Sequence, residues 1–148
     1  MRIALIRLKG KRGITPKVKA TFVSLNLNRL HTCTLLPDTE GSRGMIQACK
    51  DSVSFGPVDD STIELLLLKR GLTRDGKKLS ASMKPEAIAK LAKEISASDK
   101  SLSDHAILPF FFLAPPRGGF DGGSKKTYAP HGPLGKNPHI GALLASMA

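Results

Sequence analysis

The chain has 148 residues, 41% of them apolar, enough for one domain with a core or one small domain with extensions. Twenty-three Lys and Arg against twelve Asp and Glu leave a net charge of +11, which points to an anionic partner: nucleic acid, an anionic membrane or an acidic protein. Membrane is the weakest of these, since no apolar run approaches the roughly 18–20 residues of a spanning helix and no export signal is visible. Cys33 and Cys49, without a Cys-x-x-Cys pattern, read as reduced thiols of a cytosolic chain.

The chain opens on Arg2-Ile-Ala-Leu-Ile-Arg-Leu8, a strand-length run with Ile and Leu on both faces, as in the centre of a sheet. Lys9-Gly-Lys-Arg-Gly13 follows at once. The glycines permit close backbone approach, and the cations set the sign of the partner. A solvated charged loop is the other reading of these three cations taken alone.

Thr15 and Pro16 start a helix, with Val18, Phe22, Leu25 and Leu30 at helical spacing, expected to stop near Leu30. His31–Leu36 reads as a second strand and Pro37–Gly41 as a turn. A second helix is expected over Ser42–Val53, with Met45, Ile46 and Cys49 on one face. Around Gly56 and Pro57, Val53, Phe55 and Val58 suggest a short edge strand or irregular extended piece. Ser61-Thr-Ile-Glu64 fits a capping box opening a helix that ends at Gly71, while Asp59-Asp60 also reads as capping. Asp75-Gly76 is a hairpin signal. Pro85 opens a helix with Ile88, Leu91, Ala92 and Ile95 on a narrow apolar face. A loop spans Ser96–Asp104, and Ile107–Leu113 is the second strongly apolar strand, expected beside the first and interrupted by Pro109.

Ala114–Lys136 holds six Gly, four Pro and four Lys or Arg, which predicts a segment that drapes over a partner or is disordered alone. Ile140, Leu143, Leu144 and Met147 then give a short amphipathic helix that needs something to dock on. The element order predicts an α+β layer structure of few strands with helices on one face.

Two acid-poor blocks carry the candidate chemistry. Arg2, Arg7, Lys9, Lys11, Arg12, Lys17 and Lys19 lie in the first twenty residues with no carboxylate among them. Arg117, Lys125, Lys126 and Lys136 are opposed in the tail by Asp121 alone. A solvated face mixes signs, so cations without neighbouring anions point to external phosphates. Ser42-Arg43-Gly44 either offers phosphate the amino end of a helix plus a bidentate arginine, or is ordinary capping with an exposed Arg. Pro115-Pro-Arg-Gly-Gly-Phe120 suits close approach to RNA, or is an exit turn with Phe120 in the core. Phe110, Phe111 and Phe112 cannot all share one strand face, so core packing outweighs base stacking for them. No nucleotide-binding or nucleophile fingerprint occurs, and the four His show no metal-ligand spacing.

Thr21-Phe-Val-Ser-Leu-Asn-Leu-Asn-Arg-Leu-His31, Leu36-Pro-Asp-Thr39, Arg43-Gly-Met-Ile46, Lys69-Arg-Gly71 and Pro115-Pro-Arg-Gly-Gly-Phe120 resemble the ribosomal large-subunit protein thirty family. The short bacterial form would match about the first 58 residues. The later motifs, with the closing Leu134-Gly135 and Ile140 to Met147, resemble the long archaeal branch, related to eukaryotic large-subunit protein seven. The resemblance implies a ferredoxin-like β-α-β-α-β core, a helical insertion and an extended C-terminal tail. On this reading residues 1–58 form the core, 59–113 a helical extension with a return strand, and 114–148 a basic tail with a short helix. It implies a cytoplasmic, non-catalytic constituent of the large ribosomal subunit that binds rRNA and neighbouring ribosomal proteins. The small 5S rRNA is a further candidate partner, and no cofactor, metal, membrane or small-molecule substrate is implied. Arg7, Lys9, Lys11, Arg12, Arg43 and Arg117 are the RNA-contact candidates in matching segments. Asn26 and Asn28 replace a usual Gly-Leu break, and 75–103 matches poorly. A free-standing RNA-modifying or RNA-processing enzyme and a basic adaptor for an acidic protein are the competing functions.

Overall fold

A computed structural model of the chain describes residues 2–98, 102–120, 122–123, 126–127 and 132–148. Its centre is β1 (Arg2–Arg7), flanked antiparallel by β2 (Thr32–Pro37) and β3 (Val53–Val58). Ala4, Leu5 and Ile6 are fully buried, so the strand has no solvent face. A two-residue β4 (Phe111–Phe112) extends the sheet beyond β2, and a two-residue β5 (Gly135–Lys136) runs parallel to β3, giving the order β4-β2-β1-β3-β5.

Both faces of the sheet are covered. Leu5 and Val53 pack with Phe22, Leu25, Leu27, Ile46 and Cys49 from the side of α1 (Pro16–Ser24) and α2 (Glu40–Cys49). Ala4, Ile6, Cys33 and Leu35 point the other way, as strand alternation requires. They meet Ile63, Leu66 and Leu67 of α3 (Asp60–Arg70), Ile88 and Ile95 of α5 (Pro85–Ala97), and Ile140 and Leu144 of α6 (Ile140–Met147). The core helices α1 and α2 therefore lie on one face, as expected of a β-α-β-α-β core, and the later helices cover the other.

Several boundaries differ from expectation for local reasons. The first helix stops at Ser24, because Asn26 takes a left-handed φ of 58°. Leu27 N–H then donates to the Phe22 carbonyl at 2.8 Å and Asn26 N–H to that of Val23 at 3.1 Å, a Schellman closure with Leu27 against Phe22. The second helix begins at Glu40 rather than Ser42, capped by Thr39, whose hydroxyl accepts from Ser42 N–H. It ends at Cys49, leaving Met45 on the exposed side. The helix of Ser61 starts two residues earlier, after Asp59. A turn of helix, α4 (Leu79–Ser82), and a 3-10 turn at Leu102–His105 were not expected.

β3 is a full interior strand despite Gly56 and Pro57. Ladder bonds to β1 fall on the alternate residues, as Leu8 N–H to Ser52 carbonyl shows, so the amide that Pro57 lacks would face away from β1. The strand expected over Ile107–Leu113 shrinks to β4, and it pairs with β2, not β1. Pro109 cannot donate to a ladder, and its carbonyl instead accepts from Thr34 Oγ1 at 2.8 Å.

The tail returns to the body at several described residues. Phe120 stacks on His31 at 5.9 Å, Leu134 is buried, and Asn137 N–H donates to the Phe55 carbonyl at 2.8 Å. These residues pack on the chain's own core rather than extending from it. The terminal helix finds its dock in the same place. A Cβ on Gly56 would lie 2.1 Å from the Asn137 carbonyl oxygen and 3.2 Å from Ile140 Cγ2.

Arg2 and Arg7 are buried, at 2% and 4% exposure. Arg2 donates to the Ile95 carbonyl at 2.8 Å and the Ser98 carbonyl at 2.6 Å, placing a cation at the carboxyl end of α5. Arg7 donates from Nε to the Lys9 carbonyl at 2.9 Å and from Nη1 to the Leu27 carbonyl at 2.7 Å, with Asn28 at 3.3 Å. Its guanidinium also lies 4.3 Å from the Phe22 ring centroid.

Four stability outcomes are expected. Gly56→Ala forces Asn137 away and should lower stability by about 1–3 kcal/mol in chemical denaturation. Gly44→Ala, where an added Cβ meets nothing within 4 Å, should raise it by up to about 1 kcal/mol. Arg7→Leu strands buried carbonyls and should cost at least about 2 kcal/mol, while the exposed Lys11→Ala stays within about 0.5 kcal/mol. Equal effects of the two would contradict the structural role given to Arg7.

Candidate nucleic-acid interface

The loop after β1 is anchored at its root. Leu8 and Lys9 amides both donate to the Ser52 carbonyl, at 3.1 and 3.2 Å, and Arg7 holds the Lys9 carbonyl. Beyond that root Lys11 and Arg12 are exposed and Lys9 is half-buried. Lys17 and Lys19 stand exposed on α1. Among the described residues none of the five makes an ion pair or side-chain hydrogen bond. A fixed backbone thus presents a group of uncompensated cations, which is what a phosphate surface needs.

Arg2 and Arg7 drop out as phosphate contacts, because their donors face carbonyls inside the fold. Burial lowers the Arg7 pKa from its ordinary value, but a guanidinium remains protonated. The two residues lie on opposite faces of β1, and both faces are covered.

Arg43 is exposed yet already engaged. It forms a two-bond pair with Asp38, at 2.6 and 2.7 Å, which holds the Asp38 carboxyl below its ordinary pKa. The amide cradle expected at Ser42–Gly44 is filled, since Ser42 and Arg43 amides bond the Thr39 hydroxyl and carbonyl. Arg43 and Lys136 line one groove of about 510 Å³, with Ile3, Ile46, Phe55 and Pro57 among its walls. The groove sits where β1 begins, and the Lys9–Arg12 loop where it ends, roughly 20 Å away for a six-residue strand. The cations thus form two groups at opposite ends of one strand.

Arg117 is exposed in a turn closed by Gly119 N–H to the Pro116 carbonyl at 3.0 Å, with φ of 86° and 85° at Gly118 and Gly119. Lys126 is exposed, and Lys125 lies outside the described residues. Of the three phenylalanines, Phe111 is fully buried, Phe110 half-buried and Phe112 37% exposed. Sequence reasoning missed Arg29, which lies 5.3 Å from the Phe112 ring centroid. An expected helix through Leu30 concealed it; the signal was the Asn26–Asn28 break.

Among the described residues neither thiol is activated. Burial pushes the Cys49 thiol up to about 11 and the Cys33 thiol higher still, so neither is a ready nucleophile. His31, stacked on Phe120, has its pKa lowered by burial. Among the described residues no group of three or more His, Cys, Asp or Glu could hold a metal ion, and no helix is long and apolar enough to cross a membrane.

The family model for ribosomal protein L30p/L7e matches residues 3–53, the span from β1 to the start of β3. Large ribosomal subunit protein uL30 of Methanococcus maripaludis is 36% identical over 99% of both chains. The uL30 proteins of Methanothrix thermoacetophila and Archaeoglobus fulgidus are 36% and 35% identical, each over 97% of this chain and 98% of the relative. The likeness therefore runs through the later helices and the tail as well as the core, and the chain belongs to the archaeal uL30 family of large ribosomal subunit proteins.

Proposed function

We propose that the chain is a structural, non-catalytic constituent of the large ribosomal subunit that binds and stabilises rRNA during assembly and translation. The observation that carries this is the loop of Lys9, Lys11 and Arg12, held at its root and, among the described residues, free of ion pairs, next to Lys17 and Lys19. The names of its archaeal relatives support the same reading. Phosphate contacts are assigned to these five residues, with Arg117, Lys126 and Lys136 as further contacts from the tail; Lys125 is kept with them on sequence alone. Arg43 joins them if phosphate displaces Asp38.

Residues 1–58 carry the primary rRNA surface, 59–113 brace the sheet from behind, and 114–148 present the tail cations, with β5 and α6 seated against β3. Neighbouring ribosomal proteins and the small 5S rRNA are the finer partners in this reading, and the cytoplasm is its place. The RNA-modifying enzyme gains no support from the relatives' names or from the buried thiols.

The protein should co-sediment with large subunits in magnesium-containing gradients. Its affinity for large-subunit rRNA should fall steeply with salt, by about 0.7–0.9 log units per phosphate contact per decade. Replacing Lys9, Lys11 and Arg12 together with Ala should flatten that slope by about 2–3 units without changing the thermal midpoint. A flat wild-type salt response, or affinity lost only through unfolding, would refute the assignment.

A further inference from the structure

We propose that Arg29, Phe112 and Phe110 form a stacking site for one unpaired RNA base, with the flanking phosphate on the Arg29 guanidinium. This rests on the RNA-binding reading above and adds to it a site that reads unpaired bases rather than backbone charge.

The site lies at the open edge of the sheet. Leu113 N–H donates to the His31 carbonyl at 3.0 Å, which makes Thr32–Phe112 the non-bonded pair of the ladder. The Phe112 backbone therefore faces outward. Its ring is 37% exposed while its neighbour Phe111 is fully buried. Phe110 buttresses it at 5.0 Å and 58°, so the pair holds the ring in one orientation.

Arg29 supplies the second half. It is exposed, and among the described residues its side chain makes no hydrogen bond or ion pair, so its N–H donors are open to a partner. It lies over the Phe112 ring at 5.3 Å. A planar guanidinium on an aromatic ring gives a base a surface to stack on and a phosphate a fork to bind. Arg7 places this arginine, because its guanidinium joins the Lys9 carbonyl to the Leu27 and Asn28 carbonyls immediately before it. His31 N–H donates to the Arg7 carbonyl at 2.8 Å and closes the other side. The stacking site and the Lys9–Arg12 loop thus share one end of the sheet and one anchor, and RNA held by the loop passes within reach of the ring.

The surroundings favour RNA over a protein strand added at the edge. β4 offers only two residues, too few for a partner strand to gain many backbone bonds. Sequence neighbours Asn28 and Leu30 bring no carboxylate to Arg29.

The test compares two RNA probes with the full-length protein at low salt: a hairpin with one extruded 2-aminopurine, and the same hairpin fully paired. Wild type should bind the bulged hairpin on the order of tenfold tighter and quench its fluorescence. Phe112→Leu, which keeps an apolar side chain on the strand, and Arg29→Lys, which keeps the charge, should bind both hairpins alike. Their affinity for the paired hairpin should match wild type, which shows that they are folded. Phe112→Tyr should retain the preference. Tight but equal binding of both hairpins by wild type would overturn the site and leave the phosphate reading standing. A preference kept by Phe112→Leu would overturn it too, and give the patch to a protein neighbour. Binding of neither hairpin would overturn the RNA reading and this site together.

Discussion

The guanidinium of Arg7 is the contact on which the basic end of the molecule depends. It sits on a strand with no solvent face, so its charge must be satisfied inside the protein. Three carbonyls and one aromatic ring do this, and they come from two segments that share no secondary structure. One is the root of the Lys9–Arg12 loop; the other is the closure after the first helix. A cation that sequence alone would give to an external phosphate instead fixes where the outer cations stand. A loop of like charges repels itself, and a rigid root limits how far it can spread.

Arg2 plays the matching part at the other end of the same strand. Its carbonyl partners lie at the end of a helix far along the chain, so it ties the first strand to the later helices. Those helices cover the face that a bare β-α-β-α-β core would leave open. The helices α3, α5 and α6 run 11, 13 and 8 residues, and none of that length is stable alone. The terminal helix completes this layer by seating on Gly56, where a side chain would block it.

Surface charge follows from this division of the arginines. Buried arginines hold segments together, the paired Arg43 is held in check by Asp38, and the cations of the loop and first helix, unpaired among the described residues, form an anion-attracting surface. Exposed aromatic surface is scarce. Phe112 is the one phenylalanine left among the exposed large hydrophobics, and it lies at the same end as those cations.

The central strand, the basic loop, the helix at Pro85 and the terminal amphipathic helix were legible in the sequence, because each depends on local periodicity or on residues next to one another. Family membership was legible for a related reason, since ordered motifs such as Pro-Asp-Thr and Pro-Pro-Arg-Gly-Gly-Phe survive without knowledge of the fold. The fate of each arginine was not legible. Whether Arg2, Arg7, Arg29 and Arg43 face carbonyls, a ring, a carboxylate or solvent is set by segments brought together from elsewhere in the chain. Layers packed on both faces of the sheet turned Arg2 and Arg7 inward, an asparagine in the left-handed region freed Arg29 from an expected helix, and a helix starting two residues early gave Arg43 its Asp38. Composition counts charges, but only packing decides which of them remain available to a partner.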